Sequence, residues 1–316
     1  MKERELILGI DTSNYTTSVG IVDTDGKVIA NIKEPLPVKP GECGLRQSDA
    51  VFAHTKNLPT VMERAEEHLK CGKIVAVGVS ERPRNQDGSY MPCFLSGVAA
   101  AKSISVSLGV PLYRFSHQCG HIMAAHHSSG ADLLGGSFAA FHVAGGTTEL
   151  VRVTPDGNGF CAEIVGGTSD LNVGQAIDRI GVMMGLKFPA GAEIERLALT
   201  NTKKIPRKRP PVKGTLASLS GLQNLAQRLY SDTGDKALVS AFVLDYVAKT
   251  LGLMRDGYVE KFGDAPFVFA GGVMSNSIIK KLLLAEGSYF SAPEFSADNA
   301  VGIALLAKRA YISEIK

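Results

Sequence analysis

Residues 6–22, LILGIDTSNYTTSVGIV, decide the fold of this 316-residue chain. An apolar run over 6–10 predicts a strand, the polar residues 11–17 predict a turn, and the apolar residues that follow predict a second strand. A Thr-Asp-Gly turn at 24–26 then leads into a third apolar run, KVIANI. The pattern predicts a three-stranded antiparallel meander at the start of the chain.

The same strand and turn pattern recurs in residues 137–167, SFAAFHVAGGTTELVRVTPDGNGFCAEIVGG. Each of the two meanders is followed by segments with helical patterning, so the chain resembles two similar α/β halves. We therefore predict a two-lobed α/β protein with a duplicated core and a central nucleotide cleft. The predicted lobes are residues 1–135 and 136–316, with the last helix packing back on the first lobe.

Composition narrows the class of protein. The chain is 45% hydrophobic and 21% charged, which excludes disordered and collagen-like classes. Its five cysteines are scattered without a Cys-x-x-Cys pair, which argues against a disulfide scaffold and a thiolate zinc site. The N-terminal apolar run is too short for a signal sequence, and Gly, Ser or charged residues interrupt the other apolar segments. These features predict a soluble cytoplasmic protein with no membrane partner.

Three polar turns follow apolar strands. They are Asp11-Thr12-Ser13, Gly145-Gly146-Thr147-Thr148 and Gly271-Gly272-Val273. Glycine lets backbone N–H groups approach phosphate oxygens, and a helix N-terminus adds partial positive charge. A single Gly-Gly after a strand is usually only a turn, but three such turns in a duplicated chain favour a nucleotide site.

Two histidines, His117 and His121, lie four residues apart in a predicted helix that Ser116 can cap. This spacing puts both imidazoles on one face, as a shared metal ion requires, although surface histidines have the same spacing. Asp298 precedes the final apolar helix and is either its N-cap or a third ligand. The residue after His117 is not glutamate, so the His-Glu-x-x-His pattern of zinc proteases is absent.

Seven segments together resemble the TsaD family of the Hsp70-actin-like superfamily, once described as glycoproteases and known for making threonylcarbamoyladenosine in tRNA. They occur in the family's order over nearly the whole chain: GIDTSNYTTSVGIV, SHQCGH, HVAGGTTEL, VGQAIDRIGVMMGLKFPAGAEIERLA, SLSGL, FAGGVMSN and SADNAVGIA. The resemblance implies the actin/Hsp70/sugar-kinase fold. It also implies a transferase and not a protease.

The resemblance further implies the ligands of this site, residue by residue. His117, His121 and Asp298 would hold one divalent metal ion, iron or zinc. Five consecutive residues would line the phosphates and acyl group of an adenine nucleotide or threonylcarbamoyl-adenylate: His142, Val143, Ala144, Gly145 and Gly146. The sugar and base would be held by Asp178, Gly191, Glu195 and Asn276. No catalytic acid or base is assigned.

The chain departs from the family pattern at three places. Cys119 stands inside the histidine motif where the family commonly has an acidic residue, and Asp11 stands where glutamate is usual. The usual glycine-proline-glycine loop is replaced by the charged segment SERPRNQDGSYMPCF (80–94).

The function implied by the resemblance is transfer of a threonylcarbamoyl group from its adenylate to adenosine in tRNA, with partner subunits or a homodimer. Residues 203–213 hold six cations and would contact the RNA, although a solvated loop has the same composition. Two alternatives stay open. One is a nucleotide-binding partner of a true transferase without chemistry of its own, and the other is a carbamoyl transferase on a small molecule.

Overall fold

A computed structural model describes residues 3–13, 15–37, 45–86, 88–157, 159–296 and 298–315. The strands are β1 (Arg4–Asp11), β2 (Thr16–Asp23), β3 (Val28–Pro35), β4 (Gly72–Arg82), β5 (Leu112–Ser116), β6 (Phe138–Val143), β7 (Thr148–Asp156), β8 (Gly159–Thr168), β9 (Val212–Lys213), β10 (Leu216–Ala217), β11 (Phe267–Ala270) and β12 (Ser288–Phe290). The helices are α1 (Gln47–Leu69), α2 (Phe94–Leu108), α3 (His117–Ser128), α4 (Val173–Met183), α5 (Gly191–Leu199), α6 (Ser220–Thr233), α7 (Lys236–Phe262), α8 (Ser277–Leu283), α9 (Pro293–Ser296) and α10 (Val301–Glu314), with a 3-10 turn at Gly272–Ser275.

Two mixed sheets carry the fold. The first has the order β3-β2-β1-β4-β5, in which β1, β2 and β3 are antiparallel neighbours and β4 and β5 run parallel to β1. The second has the order β12-β11-β6-β7-β8-β10-β9, with β6 antiparallel to β7 and parallel to β11. The strand order β3-β2-β1-β4-β5 of the first sheet therefore corresponds to β8-β7-β6-β11-β12 in the second sheet, read in the opposite direction. The predicted N-terminal meander is confirmed.

The chain forms two compact units. The first comprises Met1–Ser128, Thr154–Ala162 and Ala297–Lys316, and the second comprises Ser129–Val153 and Glu163–Ser296. Helix α10, near the C-terminus, belongs to the first unit, where it packs against β1, β2, β4 and α3.

Glycines in three adjacent strands allow α10 to lie on the first sheet. A β-carbon on Gly9 of β1, Gly20 of β2 or Gly78 of β4 would collide with α10 or the residue that precedes it. Helices α1 and α2 pack against the same strands through other side chains, so the inner strands are buried over most of their length. This double burial explains why these strands have near-continuous apolar sequences.

Helix α7 is the central helix of the second unit. By length and composition it could cross a bilayer, but 72% of its most apolar window is buried inside this unit. No other helix among the described residues meets both criteria. Its buried side chains join those of β6, β7 and β11 and of helices α4 to α6 in one apolar cluster.

Candidate metal centre and nucleotide site

The first turn of α3 presents two histidines to one point. Ser116 Oγ accepts a hydrogen bond from Cys119 N at 3.2 Å, so the predicted cap is confirmed. With the helix starting at His117, the Nε2 atoms of His117 and His121 come within 2.8 Å of each other. The rings meet edge to face, with centroids 4.3 Å apart.

Close packing of α10 against α3 brings Asp298 to the histidines. Asp298 Oδ1 lies 3.2 Å from His121 Nε2 and 3.6 Å from His117 Nε2. The residue that caps α10 is Ala300, and Asn299 Oδ1 accepts a hydrogen bond from Val301 N at 3.2 Å, so Asp298 is not the N-cap. Its side chain remains 23% exposed.

A buried carboxylate supports His117 from the other side. Asp11 is fully buried, and His117 Nδ1 donates to its Oδ1 at 3.2 Å, which directs Nε2 toward His121 and Asp298. Asp11 also accepts hydrogen bonds from Ser13 Oγ and Ser80 Oγ. Burial alone would raise the pKa of Asp11, but His117 and these hydroxyls lower it below its usual value.

Sequence reasoning did not find this supporting layer. The sequence predicts a phosphate turn at Asp11, Thr12 and Ser13, and this role stays a prediction; in the structure their side chains are buried inside the first unit. Thr12 Oγ1 donates to Cys93 O and accepts from Gly97 N, each at 3.0 Å. Ser80 and His117 lie far from Asp11 along the chain, so no sequence spacing signals their contact.

The electrostatics of the cluster favour a cation. Burial lowers the pKa of His117, but the Asp11 and Asp298 carboxylates outweigh it and raise that pKa to about 10. Burial and the charge on His117 lower the pKa of His121. Burial would raise the pKa of Asp298, but both histidines hold it well below its usual range.

The donor set fits a metal ion. Ligand atoms that each lie about 2.1 Å from one ion are separated by roughly 3–3.5 Å. The three separations among His117, His121 and Asp298 are 2.8, 3.2 and 3.6 Å. Among the described residues, one group of at least three His, Cys, Asp or Glu side chains has its ligand atoms close enough to share an ion. It consists of His117, His121 and Asp298.

In the second unit, two of the predicted phosphate turns lie side by side. Strands β6 and β11 are parallel neighbours, and a β-carbon on Gly271 would collide with the carbonyl of Val143. Gly271 has φ of 97°, which suits glycine. The N-terminal end of α4 abuts the same turn, because Asn172 Nδ2 donates to Gly146 O at 2.9 Å and Gly174 packs on Ala144 and Gly145.

The predicted sugar and base ligands are linked through backbone contacts. Asp178 Oδ1 accepts from Ala190 N at 2.7 Å, next to Gly191. Glu195 Oε1 accepts from Ser277 N at 2.7 Å and from Ser277 Oγ, next to Asn276. Asn276 Oδ1 caps α8 by accepting from Ile278 N and Ile279 N. These bonds use one oxygen of each carboxylate.

A family model described as TsaD, tRNA N6-adenosine threonylcarbamoyltransferase, matches residues 28–305. This chain belongs to the TsaD family. A tRNA N6-adenosine threonylcarbamoyltransferase of Streptococcus suis is 31% identical over 329 residues, covering 99% of this chain and 94% of the relative.

Solved structures resemble this TsaD-family chain in fold. HypF of T. kodakarensis has a TM-score of 0.63 at 14% identity, covering 98% of this chain and 48% of HypF. Component A of Acidaminococcus fermentans (R)-2-hydroxyglutaryl-CoA dehydratase has a TM-score of 0.56 at 16% identity, covering 97% and 99% of the two chains. With the repeated strand order, these similarities establish the actin/Hsp70/sugar-kinase fold.

Two departures from the TsaD pattern meet at the start of α3. Pro83 O accepts from Gln118 N at 3.0 Å, and Asn85 Nδ2 lies 3.4 Å from Cys119 Sγ. Burial raises the pKa of Cys119 to about 11, which keeps the thiol neutral near pH 7. Cys119 is therefore a packed thiol beneath the charged 80–94 loop and not part of the group arranged to share an ion.

Proposed function

We propose that this chain is a cytoplasmic metal-dependent transferase that moves a threonylcarbamoyl group from its adenylate to N6 of an adenosine in tRNA. One observation carries the proposal. In a chain of the tRNA threonylcarbamoyltransferase family, the three ligand atoms of His117, His121 and Asp298 lie 2.8, 3.2 and 3.6 Å from one another. A buried arrangement of this kind is costly without a cation to share.

The cation would be iron or zinc, because imidazole nitrogen and carboxylate oxygen suit both. Three protein ligands leave positions in the coordination shell for a substrate oxygen. When bound, the metal supplies Lewis-acid stabilisation of negative charge that develops on the substrate.

The chain's own side chains orient this centre. Asp11 keeps a proton on His117 Nδ1, so that Nε2 is the ligating nitrogen. Ser13 and Ser80 hold Asp11 in turn through their hydroxyl groups. These hydrogen bonds leave the His117 ring little freedom to rotate.

The second unit would bind the adenylate. The Gly145-Gly146 turn beside the N-terminal end of α4 offers backbone N–H groups and partial positive charge to the phosphate. Asp178 and Glu195 each have one oxygen available for ribose hydroxyls. Gly191 and Asn276, next to the bonding partners of these two carboxylates, would complete the site for the sugar and base.

In the reaction, the adenosine N6 forms a bond to the carbamoyl carbon. The bond between that carbon and the adenylate phosphate oxygen breaks, and AMP leaves with the electron pair. The amine loses one proton to solvent. We assign no side chain as the acid or base for this transfer.

The experiment supplies unmodified tRNA and threonylcarbamoyl-adenylate to the purified chain, alone and with its host's partner subunits, and detects modified adenosine by mass spectrometry. Wild-type protein is expected to form the product, and His121→Ala is expected to lose both bound metal and product. His127→Ala removes an imidazole from the same helix outside the cluster and serves as the control.

Two results would contradict the proposal. One is full activity and metal content in His121→Ala. The other is carbamoylation of a small molecule, or nucleotide binding alone, with no modified tRNA under any of these conditions.

A further inference from the structure

A groove of about 940 Å³ crosses the surface of the second unit. One wall is the segment that contains Arg207, Lys208 and Arg209, and the other is the face of α7 from Asp245 to Asp256. The α7 residues that line the groove are spaced four, three, one and three residues apart, which places them on one side of the helix: Asp245, Lys249, Gly252, Leu253 and Asp256. None of the residues of the proposed nucleotide site lines this groove.

The charge of the groove is positive. Arg207, Lys208 and Arg209 are exposed, and no ion pair neutralises them within the described parts of the chain. The acidic residues on the opposite wall do have cationic neighbours. Asp245 lies 2.6 Å from Lys249, and Asp256 lies 3.7 Å from Arg255.

The three cations stand on an ordered segment. Pro206, Pro210 and Pro211 restrict its backbone. At its start, Lys203 pairs with Asp235 at 2.8 Å. At its end, the short strand β9 pairs with β10. Because the segment is already ordered, it would lose little conformational entropy when a ligand binds.

We propose that this groove binds the phosphate backbone of the tRNA substrate. The inference rests on the proposed function for its choice of ligand. Residues 203–213 hold six of the chain's 34 Lys and Arg, and without them the remaining basic residues would be outnumbered by 31 acidic ones. Three exposed cations without an ion-pair partner among the described residues, on a chain of otherwise acidic balance, are the electrostatic footprint of a polyanion site.

The lining favours nucleic acid over a protein partner. Protein interfaces rely on buried aromatic anchors, and no aromatic side chain lines this groove in the described structure. Arginine and lysine contacts to phosphates need no such anchor. The two arginines can each hold a phosphate by paired hydrogen bonds.

The test compares tRNA binding by wild-type protein, by the triple variant Arg207→Gln, Lys208→Gln, Arg209→Gln, and by a charge-matched control. The control, Arg228→Gln, Lys261→Gln, Lys281→Gln, removes three cations of the same unit that do not line the groove. Affinity for an unmodified tRNA transcript is measured over a range of salt concentrations. Modification kinetics give KM and kcat.

The triple variant is expected to bind tRNA at least about tenfold more weakly near physiological salt, with a log–log salt slope about two to three units smaller. Its KM for tRNA should rise while kcat, metal content and nucleotide affinity stay unchanged. The control variant should keep wild-type affinity and slope.

The outcomes separate the inference from the proposed function. If wild-type protein modifies tRNA and the triple variant binds it with unchanged affinity and slope, the groove is not the docking site although the function stands. If wild-type protein neither binds nor modifies tRNA, both proposals are wrong. If polyglutamate displaces tRNA from wild-type protein at equal charge concentration, the groove recognises acidic polypeptides and the RNA assignment is overturned.

Discussion

The carbonyl oxygen of Gly120 occupies the space that a β-carbon on Gly302 would need. This contact lets α10 approach α3 closely enough for Asp298 to reach His117 and His121. The metal centre therefore depends on a packing contact between two residues that are not ligands.

We expect Gly302→Ala to lower both stability and metal content. The added methyl group must push α10 away from α3, and such overpacking costs about 1–3 kcal/mol. Metal analysis and chemical denaturation of the purified variant measure the two effects. Gly252→Ala is the matched control, because its β-carbon would meet only Leu283 at 3.9 Å. Unchanged metal content in Gly302→Ala would show that the helix contact does not position Asp298.

Asp11→Asn should weaken metal binding while leaving all three proposed ligands in place. An amide holds the imidazole less well than a carboxylate does, and loss of such a supporting group typically costs 10–100-fold in metal affinity. Competition with a chelator gives the affinity. Asp23→Asn is the control, because Asp23 is a buried carboxylate of the same sheet whose bonding partners among the described residues are Asp25 N and Lys27 N. Metal affinity should persist in this variant. Equal affinities for the two variants would argue against support of His117 by Asp11.

Metal binding should release a proton near pH 7. The pKa of His117 is raised from 6.5 to about 10 in the metal-free protein, so its imidazole is protonated there and must lose that proton to ligate. Affinity should therefore increase with pH and level off above about pH 10. Calorimetry in two buffers of different ionisation enthalpy counts the released protons, and a heat that does not depend on the buffer would contradict this expectation.

The same pKa shift predicts the stability of the metal-free protein. Because the pKa of His117 is higher in the folded state than in the unfolded state, its protonation stabilises the folded protein. This contribution is complete below about pH 6.5 and is lost as the pH rises from 6.5 to about 10. Denaturation of chelator-treated protein across this range should show declining stability. Metal-loaded protein should not show this decline, because the ligating Nε2 of His117 carries no proton to lose.

Asp178→Asn should weaken adenine nucleotide binding by about 1–3 kcal/mol. The amide retains an oxygen for Ala190 N and loses the carboxylate that would hold the ribose. Titration calorimetry with ATP and ADP measures the change, and metal content should not alter.

Asp170→Asn is not a suitable control, because Asp170 bonds Ser218, Leu219 and Ser220. Lys213→Gln, an exposed change in the same unit, should leave nucleotide affinity intact. Wild-type affinity in Asp178→Asn would remove Asp178 from the proposed site.

The sequence by itself determined the class of fold and indicated two histidines as candidate metal ligands. Alternating strands and turns specified both meanders because hydrogen bonding between consecutive strands is local. The four-residue spacing of His117 and His121 placed both imidazoles on one helix face, because the helical repeat is also a local property. Family motifs then indicated Asp298, which no local pattern could connect to them.

Only the tertiary structure decided how these parts meet. Asp11 lies against His117 because the parallel strands β1 and β5 end at the same edge of the first sheet and α3 follows β5 directly. Asp298 joins them because glycines let α10 pack closely on the sheet and on α3. The groove beside Arg207 likewise needs α7, which lies dozens of residues further along the chain. Contacts between distant segments depend on how whole faces pack, and short-range sequence patterns do not encode that packing.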